Sequence, residues 1–371
     1  MTHFWDDFPV MKHDIERVHD VILNNVRSRN ETITRALTNL SNRNGKMLRP
    51  GFVLLSARLH GDLAAQSQSN ENGRSSADLG LMRSRRKRAS ESTSLEAVSR
   101  NQAATVDVRP LPDRIYNVAA AIEMLHMATL IHDDVIDEAD VRRGEPTLHV
   151  EFGRKEAILM GDYLFSRTYR LMADNTSIEN AKRLAIVVSQ IVSGEIEQSV
   201  PAVRLEYTPR TYIRRVVGKT ATLIADSFYL GASEAGMGLA RSTYLRRIGY
   251  SIGMAFQIMD DILDFTGSAE VLGKVPGSDL RQGIVTLPLI YALRSSQPEP
   301  VFKRLLMPET LTDTDLGEII ESIERCGGFS LARERAALYT QRALRQLAML
   351  PRGENRDMLS GVTQMLLDRS Y

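Results

Sequence analysis

The chain has 371 residues, 43% hydrophobic and 25% charged, with 47 Lys and Arg against 46 Asp and Glu. That is the balance of an ordinary globular protein, and the near-zero net charge excludes whole-surface attraction to nucleic acid or anionic lipid. The single cysteine, Cys326, excludes an internal disulfide framework and fits a reducing, cytoplasmic setting.

The first residues, MTHFWDDFPVMKHD, are acidic and interrupted by polar positions, unlike a secretory leader. Met11 to Leu40 carries apolar residues at three- and four-residue spacing (Ile15, Val18, Val21, Ile22, Val26), which predicts helix. From Gly61 to Arg114 the composition shifts: no aromatic residue, much Ser, Asn and Gln, and a basic run from Arg83 to Arg88. Such a stretch buries too little apolar surface to offset its ordering entropy, so residues 62–113 read as a disordered insertion. The basic run has no interleaved aromatics for stacking on bases and reads as solvated.

Helical periodicity resumes over Ile115 to Asp140, Arg154 to Ala173, Ile178 to Val200, Pro209 to Gly231 and Ala240 to Phe265. Glu318 to Cys326, Leu331 to Leu350 and Arg356 to Arg369 close the chain. Breakers fall between them, at Gly144 to Pro146, Pro201, Gly236 to Gly238, Pro276-Gly277, and Pro298 with Pro300. Clean alternation over strand lengths is scarce, so the expected fold is all-α, with ten or more helices. The most apolar segment, Val118 to Ile131, contains Glu123 and His126 and ends in acids, which is a buried helix pattern and not a membrane span. Length alone suggests two or three domains. No break outside the insertion resembles a linker, so residues 1–371 read as one domain interrupted by 62–113.

Two copies of one acidic pattern carry the chemistry: Asp133, Asp134 and Asp137 in TLIHDDVIDEAD, and Asp260, Asp261 and Asp264 in FQIMDDILDF. On a helix, positions i and i+4 share a face. Asp133 therefore projects with Asp137, and Asp260 with Asp264. Like charges so placed need compensating cations. Carboxylates suit Mg²⁺, which is commonly held by one or two of them plus substrate phosphates. Two facing acidic helices would make a cage completed by a diphosphate. A basic set accompanies them: Lys46 and Arg49 in GKMLRP, Arg142 and Arg143, Lys219 and Thr220 in VVGKTATLIA, and Lys274. Arg and Lys are the residues expected around phosphates. The Gly-Lys-Thr is not a P-loop, because Ile213 stands where its first glycine would be. His132 beside Asp133 invites a metal-phosphohydrolase reading, but the other histidines form no comparable pattern.

With GKMLRP, EMLHMATLIHDDVIDEADVRRGEPT, GDYLF, GKTA, FQIMDDILDF and GKVPGSDLRQGIVTLPLIYAL in this order, the chain resembles the trans-isoprenyl diphosphate synthases, the polyprenyl synthetase family. The match covers nearly everything but the insertion and the first dozen residues. The resemblance implies an isoprenoid synthase-type helical bundle around a central apolar tunnel, a cytoplasmic homodimer, and condensation of isopentenyl diphosphate with an allylic diphosphate, farnesyl or geranylgeranyl. It implies Mg²⁺, three ions per site, with Asp133 and Asp137 as ligands in the first motif and Asp260 in the second, and Asp134, Asp261, Asp264 and Lys219 also catalytic. Lys46, Arg49, His126 and Arg143 match the isopentenyl diphosphate site. Arg142, Lys219, Thr220, Gln257 and Lys274 match positions at the allylic diphosphate. Two departures stand out: GKVPGSD where the family more often has GKPVGSD, which affects the loop at Lys274, and Asn44 before Gly45 where a second glycine is common.

Product length in this family depends on the side chains below the first acidic motif. Thr129 and Ala128 lie four and five residues before Asp133, Leu125 eight, and Ile122 eleven. No bulky aromatic stands at the first level, so the floor is open. The expected product is a medium or long all-trans polyprenyl diphosphate for a quinone side chain, with geranylgeranyl diphosphate as the alternative and membrane contact limited to product release. A class I terpene cyclase is disfavoured because the second motif is DDILD, and a non-catalytic subunit because both acidic motifs are kept.

Overall fold

The computed structural model describes residues 3–43, 45–62, 110–142, 144–198, 208–267, 277–295, 299–306 and 311–367. The insertion read at 62–113 lies almost wholly outside these residues.

The segment read as one helix from Met11 to Leu40 is two, α1 (Pro9–Asn25) and α2 (Glu31–Asn42). Asn30 separates them as an N-cap, its side chain accepting the Thr32 N–H at 2.9 Å. Helix α3 spans residues 48–62. Helix α4 (Asp113–Ile136) is buried continuously from Val118 to Leu125, with no polar face over those residues, as befits the centre of a bundle. A two-residue hairpin, β1 (Val141–Arg142) against β2 (Glu145–Pro146), follows it.

Next come α5 (Leu148–Phe152), α6 (Arg154–Asn175), α7 (Ile178–Gln198), α8 (Pro209–Val216) and α9 (Thr222–Glu234). Between α8 and α9, Val217–Ala221 makes a π-helical turn, so the predicted helix from Pro209 to Gly231 is not continuous. Helix α10 (Leu239–Thr266) is the longest among the described residues. Its Leu245, Ile248 and Ile252 join one core, shared by α1 to α7, α9 and the last two helices, and its Met254, Ile258 and Ile262 join a second, built from residues between Tyr212 and Ala336. The short helices α11 (Ser278–Arg281) and α12 (Leu287–Leu293) and a 3₁₀ segment (Pro300–Leu306) lead to α13 (Asp313–Arg325), α14 (Gly328–Ala348) and α15 (Glu354–Leu367). The protein is all-α. Among the described residues no helix is long and apolar enough to cross a membrane.

Two glycines let α10 approach its neighbours. A Cβ on Gly253 would lie 2.8 Å from the Ala221 Cα of the π turn, and one on Gly249 would lie 3.0 Å from the Ala225 Cα of α9. The π turn is thereby seated directly on α10. On its other side, a Cβ on Gly218 would come 3.1 Å from the Gln190 carbonyl oxygen of α7.

Candidate active site

Both acidic motifs end helices. Asp133 and Asp134 occupy the last turn of α4, and Asp137 is its C-cap, its N–H donating to the Asp133 carbonyl at 2.8 Å. Asp260, Asp261 and Asp264 occupy the last two turns of α10. A helix C-terminus carries about half a negative charge. The carboxylates therefore repel their own helix ends as well as each other, and the region favours cations.

The two ends meet at one cavity of about 310 Å³. Asp137 lines it from the first motif, Asp260, Asp261 and Asp264 from the second, and Asp279 from α11. Arg142 and Arg215 supply positive charge, while Tyr212, Thr220, Gln257, Gln282 and Thr286 supply neutral polar groups. The middle acids are held differently. Asp134, 7% exposed, accepts from Arg142 Nε at 2.6 Å. Burial pushes its carboxyl above the usual carboxylate range, against the pull of the Arg142 charge. Asp261, 5% exposed, accepts from the Tyr212 hydroxyl at 2.6 Å and from Gln257 Nε2 at 2.7 Å. Burial pushes it up to about 7, against those two hydrogen bonds. Burial, then the Asp261 charge, pushes the Tyr212 phenol well above its ordinary range. Gln257 Oε1 in turn accepts from the Thr220 hydroxyl at 2.7 Å.

Asp264 pins the next segment. Its carboxylate accepts from Ser278 Oγ at 2.9 Å and from the Asp279 N–H at 3.3 Å, and its carbonyl accepts the Gly277 N–H at 2.7 Å. Gly277 has φ +74°, a left-handed conformation that suits glycine. Thr286 is 2% exposed, lines the cavity, and its hydroxyl has no partner among the described residues. An orphaned buried hydroxyl costs about 1–3 kcal/mol unless a ligand completes it.

The basic loop before α3 is fixed by the N-terminal residues. Trp5 Nε1 donates to the Lys46 carbonyl at 2.7 Å, and Lys46 Nζ stands 5.7 Å from the Phe4 ring centre. A Cβ on Gly51 would sit 2.2 Å from the Trp5 ring, so glycine is needed for that ring to close on the loop. Lys46, Arg49 and His126 are half-buried and, with Asp133 and Asp134, are not on the wall of the acidic cavity. Below the acidic end of α4, Ala128, Leu125 and Ile122 are fully buried and Thr129 is half-buried. His132 packs α4 on α6, with Nε2 3.1 Å from the Ile158 carbonyl and its ring against Gly161. Asn44, Arg143 and Lys274 lie outside the described residues, and Lys219 is described by its backbone alone.

Sequence reading did not assign Tyr212, Arg215, Asp279, Gln282 or Thr286. The last three fall within GSDLRQGIVT, a stretch of the family motif to whose individual residues the resemblance gives no role. Nothing in the pattern around Tyr212 and Arg215 distinguishes them from ordinary helix residues.

Among the described residues no three His, Cys, Asp or Glu side chains close on one point as a self-sufficient metal cage. The donors nonetheless suit Mg²⁺: oxygen ligands from two helix ends around one cavity, with room for water and phosphate oxygens.

The sequence profile of the polyprenyl synthetases matches residues 94–323. Heptaprenyl diphosphate synthase component 2 of Geobacillus stearothermophilus is 40% identical over 259 residues, covering 70% of this chain and 80% of that one. The chloroplastic solanesyl-diphosphate synthase 2 of Oryza sativa subsp. japonica is 32% identical over 97% of this chain and 78% of its own length. The polyprenyl synthase of Caulobacter crescentus, solved with calcium and isoprenyl diphosphate, superposes with a TM-score of 0.79 at 30% identity, covering 97% of this chain and 96% of that one. The chain therefore belongs to the polyprenyl synthetase family and is a prenyltransferase.

Proposed function

We propose that the protein condenses isopentenyl diphosphate repeatedly onto an allylic diphosphate, farnesyl or geranylgeranyl, to give a medium- or long-chain all-trans polyprenyl diphosphate. The observation that carries the reading is the convergence of two acidic helix ends and Arg142 on one cavity. Asp137 and Asp260 there, with Asp133 one turn before Asp137, are the residues to hold Mg²⁺, three ions with the substrate present. Bound Mg²⁺ supplies Lewis-acid neutralisation of the allylic diphosphate as it leaves.

Arg142 binds that diphosphate from the hairpin, and Lys219, Thr220 and Lys274 bind it from the π turn and the α10–α11 segment. Lys46, Arg49, His126 and Arg143 hold isopentenyl diphosphate. These cations keep the isopentenyl double bond within reach of the allylic carbon, an entropic advantage. As the allylic C–O bond breaks, the double bond attacks the electron-deficient carbon. A proton then leaves the adjacent carbon, taken by the departed diphosphate, so no protein base is required.

The growing chain descends along α4, past Ala128 and Thr129, then Leu125 and Ile122. The absence of an aromatic residue among these four supports a product longer than farnesyl. The heptaprenyl and solanesyl names of the relatives favour a long product over geranylgeranyl diphosphate. The test is incubation of the purified protein with labelled isopentenyl diphosphate, each primer and Mg²⁺, followed by resolution of the dephosphorylated products. Ala128→Phe is expected to shorten the product, and an unchanged length distribution would remove the tunnel assignment.

The protein acts as a homodimer in the cytoplasm. Support for the dimer comes from α6 and α7, which expose Leu159 (53%), Ile186 (59%), Val192 (47%) and Ile196 (62%), an apolar face suited to an isologous partner. Sedimentation of the purified chain checks this. A monomer, or a stable species only with a second component, would overturn it.

A further inference from the structure

Lys46 and Arg49 stand on opposite sides of a bend. Lys46 belongs to the loop, and Arg49 to the first turn of α3. Between them Met47 has φ +48°, a left-handed conformation that a residue with a side chain rarely adopts. Helix α3 starts from this residue: the Met47 carbonyl accepts the Gly51 N–H at 3.0 Å, and its side chain is buried. A backbone in this region keeps its shape only where its surroundings hold it there. The bend sets how far the Lys46 ammonium stands from the Arg49 guanidinium, and so whether both can meet one diphosphate.

One side chain holds both arms. Trp5 is fully buried. Its indole N–H donates to the Lys46 carbonyl, before the bend, at 2.7 Å. Its six-membered ring lies against Gly51, after the bend, so closely that no Cβ fits between them. Trp5 is itself kept in place by Phe4, edge-on at 4.9 Å between ring centres, and by the Phe8 N–H, which donates to the Trp5 carbonyl at 2.9 Å. The Phe4 ring also stands within cation–π range of the Lys46 ammonium. Residues outside every family motif thus grip the loop that carries the first of those motifs.

We propose that Trp5, supported by Phe4, is a positioning residue for isopentenyl diphosphate: it staples the two arms of the Met47 bend, so that Lys46 and Arg49 are spaced for one diphosphate before the substrate arrives. This rests on the assignment of Lys46 and Arg49 to that substrate under the proposed function, and it adds residues that touch no substrate. The gain is preorganisation. A loop already held in its binding shape loses little further freedom when the ligand binds. The staple therefore acts on affinity for one substrate and not on the chemical step. Lys46 and Arg49 are not on the wall of the acidic cavity, so the allylic diphosphate should not feel it.

The test measures KM for each substrate, kcat and Tm on the full chain with Mg²⁺. Trp5→Phe keeps an aromatic ring and removes the indole N–H from the Lys46 carbonyl. It should raise KM for isopentenyl diphosphate about five- to tenfold, with KM for the allylic diphosphate and kcat within about twofold of wild type. Phe4→Leu should raise the same KM about two- to threefold. Val18→Ala, on α1 and fully buried in the same core as Trp5, is the packing control and should lower Tm without moving either KM. An unchanged KM for isopentenyl diphosphate in Trp5→Phe, an equal rise in KM for both substrates, or the same selective rise in Val18→Ala would overturn the staple. Should Trp5→Phe fail to fold, Phe4→Leu decides by the same criteria. Lys46→Ala should raise KM for isopentenyl diphosphate further than Trp5→Phe does, and no rise there would overturn the assignment of the loop and the staple with it. A wild type that transfers no prenyl groups would instead overturn the proposed function.

Discussion

At the end of α4 the middle acid of the motif, Asp134, is held by a full positive charge, with the Arg142 side chain 37% exposed and the Asp134 side chain 10%. At the end of α10 the corresponding acid, Asp261, is held by the neutral donors Tyr212 and Gln257. The same DDxxD spacing therefore sits in two electrostatic settings. The first is compensated by a partly solvated cation on a hairpin, within reach of salt and of an incoming anionic ligand. The second is insulated, and its middle acid binds a proton far more readily than an ordinary carboxylate. A further asymmetry follows. The second motif commits Asp261 to Gln257 and Asp264 to the Ser278–Asp279 turn. Asp260 is the acid of that end proposed above to hold Mg²⁺, so its loss is the one expected to act on metal binding.

The largest expected effect tests whether the ends share one task. Asp133→Ala and Asp260→Ala should each lower kcat by several orders of magnitude at saturating Mg²⁺. Near-normal turnover in either would mean that the two ends do not serve one ion-bridged diphosphate.

The next effect separates the ends. Arg142→Gln leaves Asp134 without its cation and removes a charge from the cavity wall. It should raise KM for the allylic diphosphate about tenfold, with added salt weakening the wild type more than the variant, since screening acts on the charge that the variant lacks. The stability cost is about 1 kcal/mol, because the arginine is too exposed for a fully buried ion-pair penalty. Equal salt sensitivity of the two proteins would place the diphosphate elsewhere.

How much of this could be read from the chain depends on the range of the interaction. The acidic motifs, Arg142 and Thr220 are legible because their chemistry and spacing are local, and Gln257 only through the family resemblance; all of them line the cavity except Asp133 and Asp134. The π turn was not legible. It depends on glycines of its own and of α10 that matter only once α7, α9 and α10 are packed. Tyr212 was missed for the same reason, since its partner lies 49 residues away. The split between α1 and α2 is a different kind of miss. Asn30 followed by Glu31 is an N-cap signature, and the apolar periodicity running across it concealed the stop. Trp5 lay in the stretch set aside as unmatched, yet it closes on the basic loop at Lys46.

The smallest expected effect probes the insulated end through its packing. Gly249 and Gly253 lie one turn apart on α10, and both abut neighbouring backbone. Gly249→Ala would push a methyl to 2.5 Å from the Phe228 ring and 3.0 Å from the Ala225 Cα, both on α9, and Gly253→Ala to 2.8 Å from the Ala221 Cα. Overpacking of this kind costs about 1–3 kcal/mol, so both variants should melt a few degrees below wild type. Their activities should part. Ala225 belongs to the regular helix α9, away from the acidic end, whereas Ala221 directly follows Thr220, whose hydroxyl meets Gln257. Displacing the π turn by a few tenths of an ångström lengthens that hydrogen bond. Gly253→Ala should therefore lose severalfold in kcat while Gly249→Ala keeps it, at matched loss of stability. Parallel losses of kcat in the two would show that the π turn is part of the general packing of α10 and that the neutral network of the second acidic end does not depend on its placement.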